Sequence, residues 1–194
     1  PTGEAFRNTA YYEHFQSLLC CKELDQLLEQ QDYRLVFYPH VEMQKDSRMF
    51  ESGSDRITIV SKETHDVQEL LMDCALLVTD YSSVFFDVAF LRKPVVYYQF
   101  DEEEFRKYHY QKGYFDFRRD GFGPVCTTQE ALLGAMTESF ENGMEMQTEY
   151  AQRTERFFPL HDGNNCRRTF EAIARLKERK EKHAAESESL SVHL

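Results

Sequence analysis

Two adjacent serines follow a short apolar run, in a position that is typical of a phosphate site. Ser82 and Ser83 come directly after Ala75–Thr79, which has the composition of a buried strand, and a helix is predicted from about Ser83. The first N–H groups of a helix lack intrahelical partners and carry the positive end of its dipole, so a phosphate can bind there. Serine hydroxyls add further donors. The same spacing is equally typical of a serine that only caps a helix.

Two more polar residues have positions that would place them at the same site. Asp87 lies four residues after Ser83, on the same face of the predicted helix, where its carboxylate could accept the two hydroxyls of a ribose. His40 follows a predicted strand and Pro39, and an imidazole there could donate to a diphosphate or protonate a leaving phosphate near neutral pH. A merely solvated Asp87 and a structural His40 remain open as alternatives.

The elements that must position these residues alternate between strands and helices. Short apolar runs predict strands at Tyr33–Tyr38, Arg56–Val60, Ala75–Thr79, Pro94–Tyr98 and Pro124–Cys126, and helical spacing predicts helices at Tyr12–Gln30, Val67–Cys74, Ser83–Leu91, Gln129–Phe140, Glu145–Phe157 and Cys166–Glu181. Because the strands are continuous apolar runs, they favour an α/β fold with a Rossmann-like, mostly parallel sheet and helices on both faces. Ligands of such sheets bind beyond the carboxyl ends of the strands, where His40, Ser82 and Ser83 are predicted to lie.

The domain prediction is a single unit over residues 1–181. No strand precedes the first helix, so we expect the first strand of the unit to be missing from this chain. The polar, Ser- and Glu-rich tail, residues 182–194, is predicted to be disordered.

Composition and motifs argue against several classes of function. A net charge of −11 argues against a nucleic-acid binder, because a phosphate backbone needs clustered Lys and Arg. Five cysteines without a C-x-x-C pair favour reduced thiols in the cytosol over a zinc site or disulfides. The acidic run Asp101–Glu104 favours a solvated helix start over a metal site, and neither a metal nor a cofactor is predicted. P-loop, G-x-G-x-x-G and G-x-S-x-G motifs are absent from the sequence.

Four segments occur in an order that resembles a known family. They are Tyr38-Pro39-His40, the run Leu76–Asp101, the segment Lys112–Val125 with KGYFDF and DGFGPV, and His161–Cys166 with HDGNNC. Together, over residues 33–175, they resemble the CDP-glycerol glycerophosphotransferases, which include teichoic acid primases and polymerases. That family is similar to GT-B glycosyltransferases. The resemblance implies that this chain is the C-terminal, donor-binding half of a GT-B architecture.

The resemblance also implies a reaction and a role for each candidate residue. Glycerol phosphate would be transferred, without a metal, from CDP-glycerol to a hydroxyl of a polyol-phosphate polymer or its lipid-linked primer, with CMP leaving; CDP-ribitol is the close variant. By position, His40, Ser82 and Ser83 would hold the diphosphate, and His40 is the catalytic candidate. Asp87 would bind the ribose, and Asp80 would shape the strand-to-helix turn. The acid/base histidine of the family is expected in an N-terminal GT-B domain that this chain lacks.

Two other functions share the same sequence features. A GT-B glycosyltransferase that uses a nucleotide sugar in capsule or wall synthesis would need a ring-sized cavity with extra polar contacts, whereas CDP-glycerol needs little room beyond the diphosphate. A non-catalytic nucleotide-binding fragment would bind donor without turnover. We expect a cytoplasmic protein that meets a membrane only through its parent, peripherally at the inner face of the cell membrane.

Overall fold

The computed structural model describes residues 3–40, 43–102 and 113–191, and the chain forms two compact units, Pro1–Glu155 and Arg156–Leu194. The elements in chain order are α1 (Glu4–Arg7), α2 (Ala10–Leu19), α3 (Lys22–Gln31), β1 (Leu35–Phe37), a 3-10 helix (Gln44–Met49), β2 (Ile57–Ile59), α4 (Val67–Asp73), β3 (Leu77–Thr79), α5 (Phe85–Phe90), β4 (Val95–Tyr98), α6 (Phe117–Asp120), β5 (Val125–Cys126), α7 (Gln129–Glu141), α8 (Thr148–Phe157) and α9 (Asn165–Ser191). The predicted strands and the α/β class are confirmed.

All strand pairs among the described residues are parallel. β1 pairs with β2, with Leu35 opposite Ile57, and the second sheet has the order β3-β4-β5, with Leu77 opposite Val95. Parallel neighbours end at the same edge of a sheet. The turn after β3 and the segment after β4 therefore lie side by side.

The central strand, β4, has a helical layer on each face. All four of its residues are buried, with 1% of the surface or less exposed. Val96 and Tyr98 belong to a core shared with α2, α3 and α7. Tyr97 instead packs edge-on against Phe85 of α5, with ring centroids 5.2 Å apart. Burial on both faces explains why the strand is apolar at every position, and the predicted parallel sheet with helices on both faces is confirmed.

The segment predicted as one helix, residues 12–30, is two helices in the structure, and the prediction of a continuous helix is wrong at Cys20 and Cys21. The carbonyl of Leu19 accepts from the N–H of Gly53 at 3.0 Å instead of continuing the helical ladder. The side chain of Gln16 also makes hydrogen bonds of 2.9 and 3.0 Å with the backbone of the preceding part of that loop. The break is thus caused by a loop more than thirty residues away in the chain.

The second unit consists mainly of α9. This helix continues to Ser191, through residues for which the composition predicts disorder; Ala and Glu, which occur there, have high helix propensity. The predicted domain boundary at residue 181 stays a prediction, and residues 192–194 lie outside the described residues. Within the described ranges, we find no helix that is both long and apolar enough to cross a membrane.

Candidate functional site

The turn after β3 lies at the centre of the candidate site. Oδ1 of Asp80 accepts hydrogen bonds from the N–H groups of Tyr81 (2.6 Å) and Ser82 (3.1 Å). A carboxylate that binds the backbone one and two residues later makes an Asx-type turn, which redirects the chain from the sheet edge into α5. Asp80 therefore shapes the strand-to-helix turn through its side chain.

The two serines occupy the open part of this turn. α5 begins at Phe85, two residues later than predicted, because Val84 rather than a serine is its N-cap and no side chain caps the helix. Neither serine is therefore an ordinary cap. Ser82 is half-buried and Ser83 is exposed. Among the described residues, no acceptor contacts the N–H groups of Ser83, Val84 and Phe85. Two hydroxyls and three successive N–H groups are thus available to an anion.

Asp87 lies on the exposed side of α5. Both Asp87 and Ser83 are exposed, and they stand one helical turn apart. The carboxylate of Asp87 has no hydrogen-bond partner in the described part of the chain. This position suits a ligand hydroxyl and solvent equally well, so its role in binding ribose stays a prediction.

Two residues that follow β4, Gln99 and Asp101, make hydrogen bonds to the Asp80–Ser83 turn. Nε2 of Gln99 donates to the backbone carbonyl of Asp80 at 3.1 Å, and Gln99 is only 1% exposed. The hydroxyl of Tyr81 donates to Oδ1 of Asp101 at 3.1 Å. Burial, and then the charge of Asp101, raises the pKa of Tyr81, so its hydroxyl remains a donor at neutral pH. The sequence places Gln99 at a strand end, where ligands of such sheets bind, but no sequence pattern assigns it a role.

The end of β1 reaches the same edge through α2. His40 is exposed, and its carbonyl accepts from the N–H of Met43 at 2.7 Å. Burial and then the charge of Asp80 raise the pKa of Tyr11, while a hydrogen bond from the backbone of His40 acts in the opposite direction. The backbone of His40 and the charge of Asp80 thus both act on the hydroxyl of Tyr11. The catalytic role of His40 stays a prediction.

A glycine-containing loop packs against the amino end of β4, just before β5 begins. A Cβ on Gly123 would lie 1.6 Å from the carbonyl oxygen of Val95, so the loop approaches the strand more closely than any side chain permits. Before this loop, Phe117 packs edge-on against Tyr81 and Tyr97, with ring centroids 6.0 and 5.1 Å apart. The residue before the loop thus packs against Tyr81 of the Asp80–Ser83 turn.

Groups that could hold a metal are absent from the part of the chain that the structure describes, where no cluster of three or more His, Cys, Asp or Glu side chains is suitably arranged. The five cysteines are free thiols. Glu103 and Glu104, the second half of the acidic run, lie outside the described residues. The fourth family-like segment, which begins at His161, belongs to the second unit.

The profile of the CDP-Glycerol:Poly(glycerophosphate) glycerophosphotransferase family matches residues 2–175, which is most of the chain. The chain belongs to this family. Among the relatives of this glycerophosphotransferase-family domain, the minor teichoic acid biosynthesis protein GgaB of Bacillus subtilis (strain 168) is 29% identical over 180 residues, 93% of this chain and 19% of GgaB. The teichoic acid ribitol-phosphate primase of Bacillus spizizenii (strain ATCC 23059 / NRRL B-14472 / W23) is 23% identical over 171 residues, 87% of this chain and 42% of the primase. The chain thus spans less than half the length of these relatives.

Solved structures show the same fold. The wall teichoic acid polymerase TagF matches with a TM-score of 0.56 and 22% identity over 81% of this chain and 38% of TagF. A TagF variant soaked with CDPG matches with a TM-score of 0.55 and 23% identity over 80% of this chain and 38% of that one. Both matches show the fold alone, and each covers about two fifths of TagF.

Proposed function

We propose that this chain is the donor-binding domain of a glycerophosphotransferase. The parent protein transfers glycerol phosphate from CDP-glycerol to a hydroxyl of a teichoic-acid-type polymer or its lipid-linked primer and releases CMP. Membership of the family supports this class of reaction. The turn Asp80–Ser83 carries the assignment to this site, because its carboxylate takes two N–H groups and leaves the next three, with two hydroxyls, for an anion.

The diphosphate is bound by these neutral donors. Hydrogen bonds from N–H and O–H groups to a charged phosphate are stronger than bonds between neutral partners, so a chain with a net charge of −11 can bind an anion locally. The exposed carboxylate of Asp87 accepts from the ribose hydroxyls. His40, at the same edge, donates to the phosphate oxygen that becomes part of CMP when the diphosphate bond breaks.

The remaining chemistry belongs to the parent protein. The acceptor hydroxyl attacks the phosphorus next to glycerol, the bond to the CMP oxygen breaks, and CMP leaves with the electron pair. A base outside this chain takes the proton of the hydroxyl, as expected for a histidine of an N-terminal domain. The length of the relatives supports such an additional domain. We place the parent in the cytoplasm, peripherally at the inner face of the membrane, where a lipid-linked acceptor lies.

CDP-ribitol is the second donor to consider. A relative that matches 87% of this chain is named as a ribitol-phosphate primase. Both donors carry the same cytidine diphosphate, and they differ only beyond the phosphate that is transferred. The open turn binds the part that they share.

Thermal unfolding with added nucleotides tests the proposal. CDP-glycerol and CMP should raise the midpoint more than UDP- or GDP-linked donors, and a ligand at 100 times its dissociation constant adds about 2.7 kcal/mol of stability. Ser83→Ala and Asp87→Ala should reduce the shift. Ser17→Ala is the control, since its hydroxyl bonds the side chain of Gln129 on the surface. The absence of a shift with every donor at millimolar concentration would overturn the proposal.

A further inference from the structure

The buried side-chain amide of Gln99 donates a hydrogen bond to the backbone of the Asp80–Ser83 turn. We propose that Gln99 is a positioning residue, which fixes the direction of the N–H groups in the Asp80–Ser83 turn and so sets the affinity for the donor diphosphate. The inference rests on the proposed function of this turn. Its basis is the hydrogen bond of 3.1 Å from Nε2 of Gln99 to the carbonyl of Asp80.

The peptide group between Asp80 and Tyr81 is held at both ends. Its carbonyl accepts from Gln99 at 3.1 Å, and its N–H donates to the side chain of Asp80 at 2.6 Å. A peptide group is planar, so fixing its oxygen and its hydrogen prevents rotation of the whole plane. The next N–H, that of Ser82, bonds the same carboxylate. The segment that presents the following N–H groups, from Ser83 onward, therefore begins from a fixed peptide plane.

Gln99 is itself a rigid support. Its backbone N–H donates to the carbonyl of Cys126 in β5 at 2.8 Å, and the residue is 1% exposed. A side chain that is enclosed in this way has few other rotamers to adopt. The position of the Asp80 carbonyl is thus tied to the central sheet rather than to a mobile surface group.

The amide of Gln99 is only partly satisfied. Within the described ranges no donor contacts its Oε1, although the residue is buried. A buried acceptor without a donor lowers stability, whereas an apolar side chain of similar volume carries no such penalty. The contribution that only the amide can make is the hydrogen bond to the turn.

Gln99→Met separates this role from a purely structural one, because it keeps the length of the side chain and removes the donor. We expect faster amide hydrogen exchange at Tyr81 and Ser82 and about tenfold weaker binding of CDP-glycerol, equivalent to about 1.4 kcal/mol. The matched control is Ile57→Val, a small loss at the amino end of β2, where Ile57 is 5% exposed. It should change neither the exchange at the turn nor the affinity.

A second variant and a measurement on the unaltered protein support the test. Gln99→Leu removes the donor and also shortens the side chain, so its loss of affinity should be at least as large. In the unaltered protein, the side-chain amide resonances of Gln99 and the N–H resonance of Tyr81 should shift during a CDP-glycerol titration. If they do not shift while the ligand binds, Gln99 does not act on the bound turn and the inference is wrong.

The outcomes distinguish the inference from the function on which it rests. If the unaltered protein binds CDP-glycerol and Gln99→Met retains its affinity and its exchange rates, the positioning role fails alone. If no CDP-glycerol binds, the assignment of the donor fails, and with it the role of Gln99 in donor affinity. Faster exchange at Tyr81 and Ser82 in Gln99→Met would then still show that the amide holds the turn.

Discussion

Two turns of this chain share the same hydrogen bond, from an aspartate side chain to the N–H two residues later, but have different surroundings. Oδ1 of Asp80 accepts from the N–H of Ser82 at 3.1 Å, and Oδ1 of Asp162 accepts from the N–H of Asn164 at 3.1 Å. Each turn precedes a helix, α5 in the first case and α9 in the second. The local sequence, an aspartate two residues before a small polar residue, is sufficient to form both turns.

The surroundings of the two turns differ. The first is held by buried Gln99 from the neighbouring strand, whereas Asp162 is exposed and forms an ion pair with Arg168 in the first turn of the following helix. The first turn is thus connected to the core and the second to a surface side chain. A local motif creates the turn, but a contact from the core is needed to give its N–H groups a fixed direction.

The largest expected effect comes from removing the carboxylate of the first turn, with removal of the second as the comparison. Asp80→Ala leaves the N–H groups of Tyr81 and Ser82 without their acceptor, and we expect a loss of about 1–2 kcal/mol in stability. CDP-glycerol binding, measured by calorimetry, should weaken at least about tenfold. Asp162→Ala should leave binding unchanged. The control is Asp80→Asn, which keeps Oδ1 as an acceptor. If Asp80→Ala bound CDP-glycerol as tightly as the unaltered protein, the comparison of the two turns would be contradicted.

An intermediate effect is expected from the other support of the first turn. Tyr81→Phe removes the hydrogen bond to Asp101, which should lower the free energy of unfolding by about 1 kcal/mol and weaken donor binding by a smaller factor than Asp80→Ala. Tyr12→Phe is matched to it, because that hydroxyl donates to the carbonyl of Met49 at 3.0 Å. Urea unfolding should show similar losses of unfolding free energy in the two variants. Donor binding should be weaker in Tyr81→Phe only. Equal affinities in the two variants would show that this support does not matter for the ligand.

The smallest effect concerns the charge of the second turn. The hydrogen bond from Arg168 lowers the pKa of Asp162 to about 2 from the usual 3.8. Because the pKa is depressed in the folded chain, the stabilisation is present above pH 3.8 and is lost as the pH falls through about 2. In Arg168→Gln, an NMR titration of the Asp162 carboxyl should show a midpoint closer to 3.8. An unchanged midpoint would mean that the ion pair does not set this pKa.

Much of this arrangement could be predicted because it depends on local sequence. The apolar run that becomes β4 and the two serines that follow β3 indicate a parallel sheet and an anion site at its edge. The start of α5 could not be located, because Asp80 holds the N–H groups of Tyr81 and Ser82 in a turn and the helix begins only at Phe85, without a side-chain cap. The role of Gln99 could not be predicted either. Its partner, the carbonyl of Asp80, lies 19 residues away in the chain and comes close only when β3 and β4 pair.

Gly123 is a position where we expect little sequence change during evolution. Loops usually accept substitutions more freely than helices and strands, but Gly123 is buried. At Gly123, however, even the first carbon of a side chain would lie 1.6 Å from the backbone of Val95, in a strand that two helical layers hold in place. At Gly134, by contrast, an added Cβ would meet nothing within 4 Å. We therefore expect Gly134, inside a helix, to be substituted more easily than Gly123, in a loop, although loops usually tolerate substitutions better than helices.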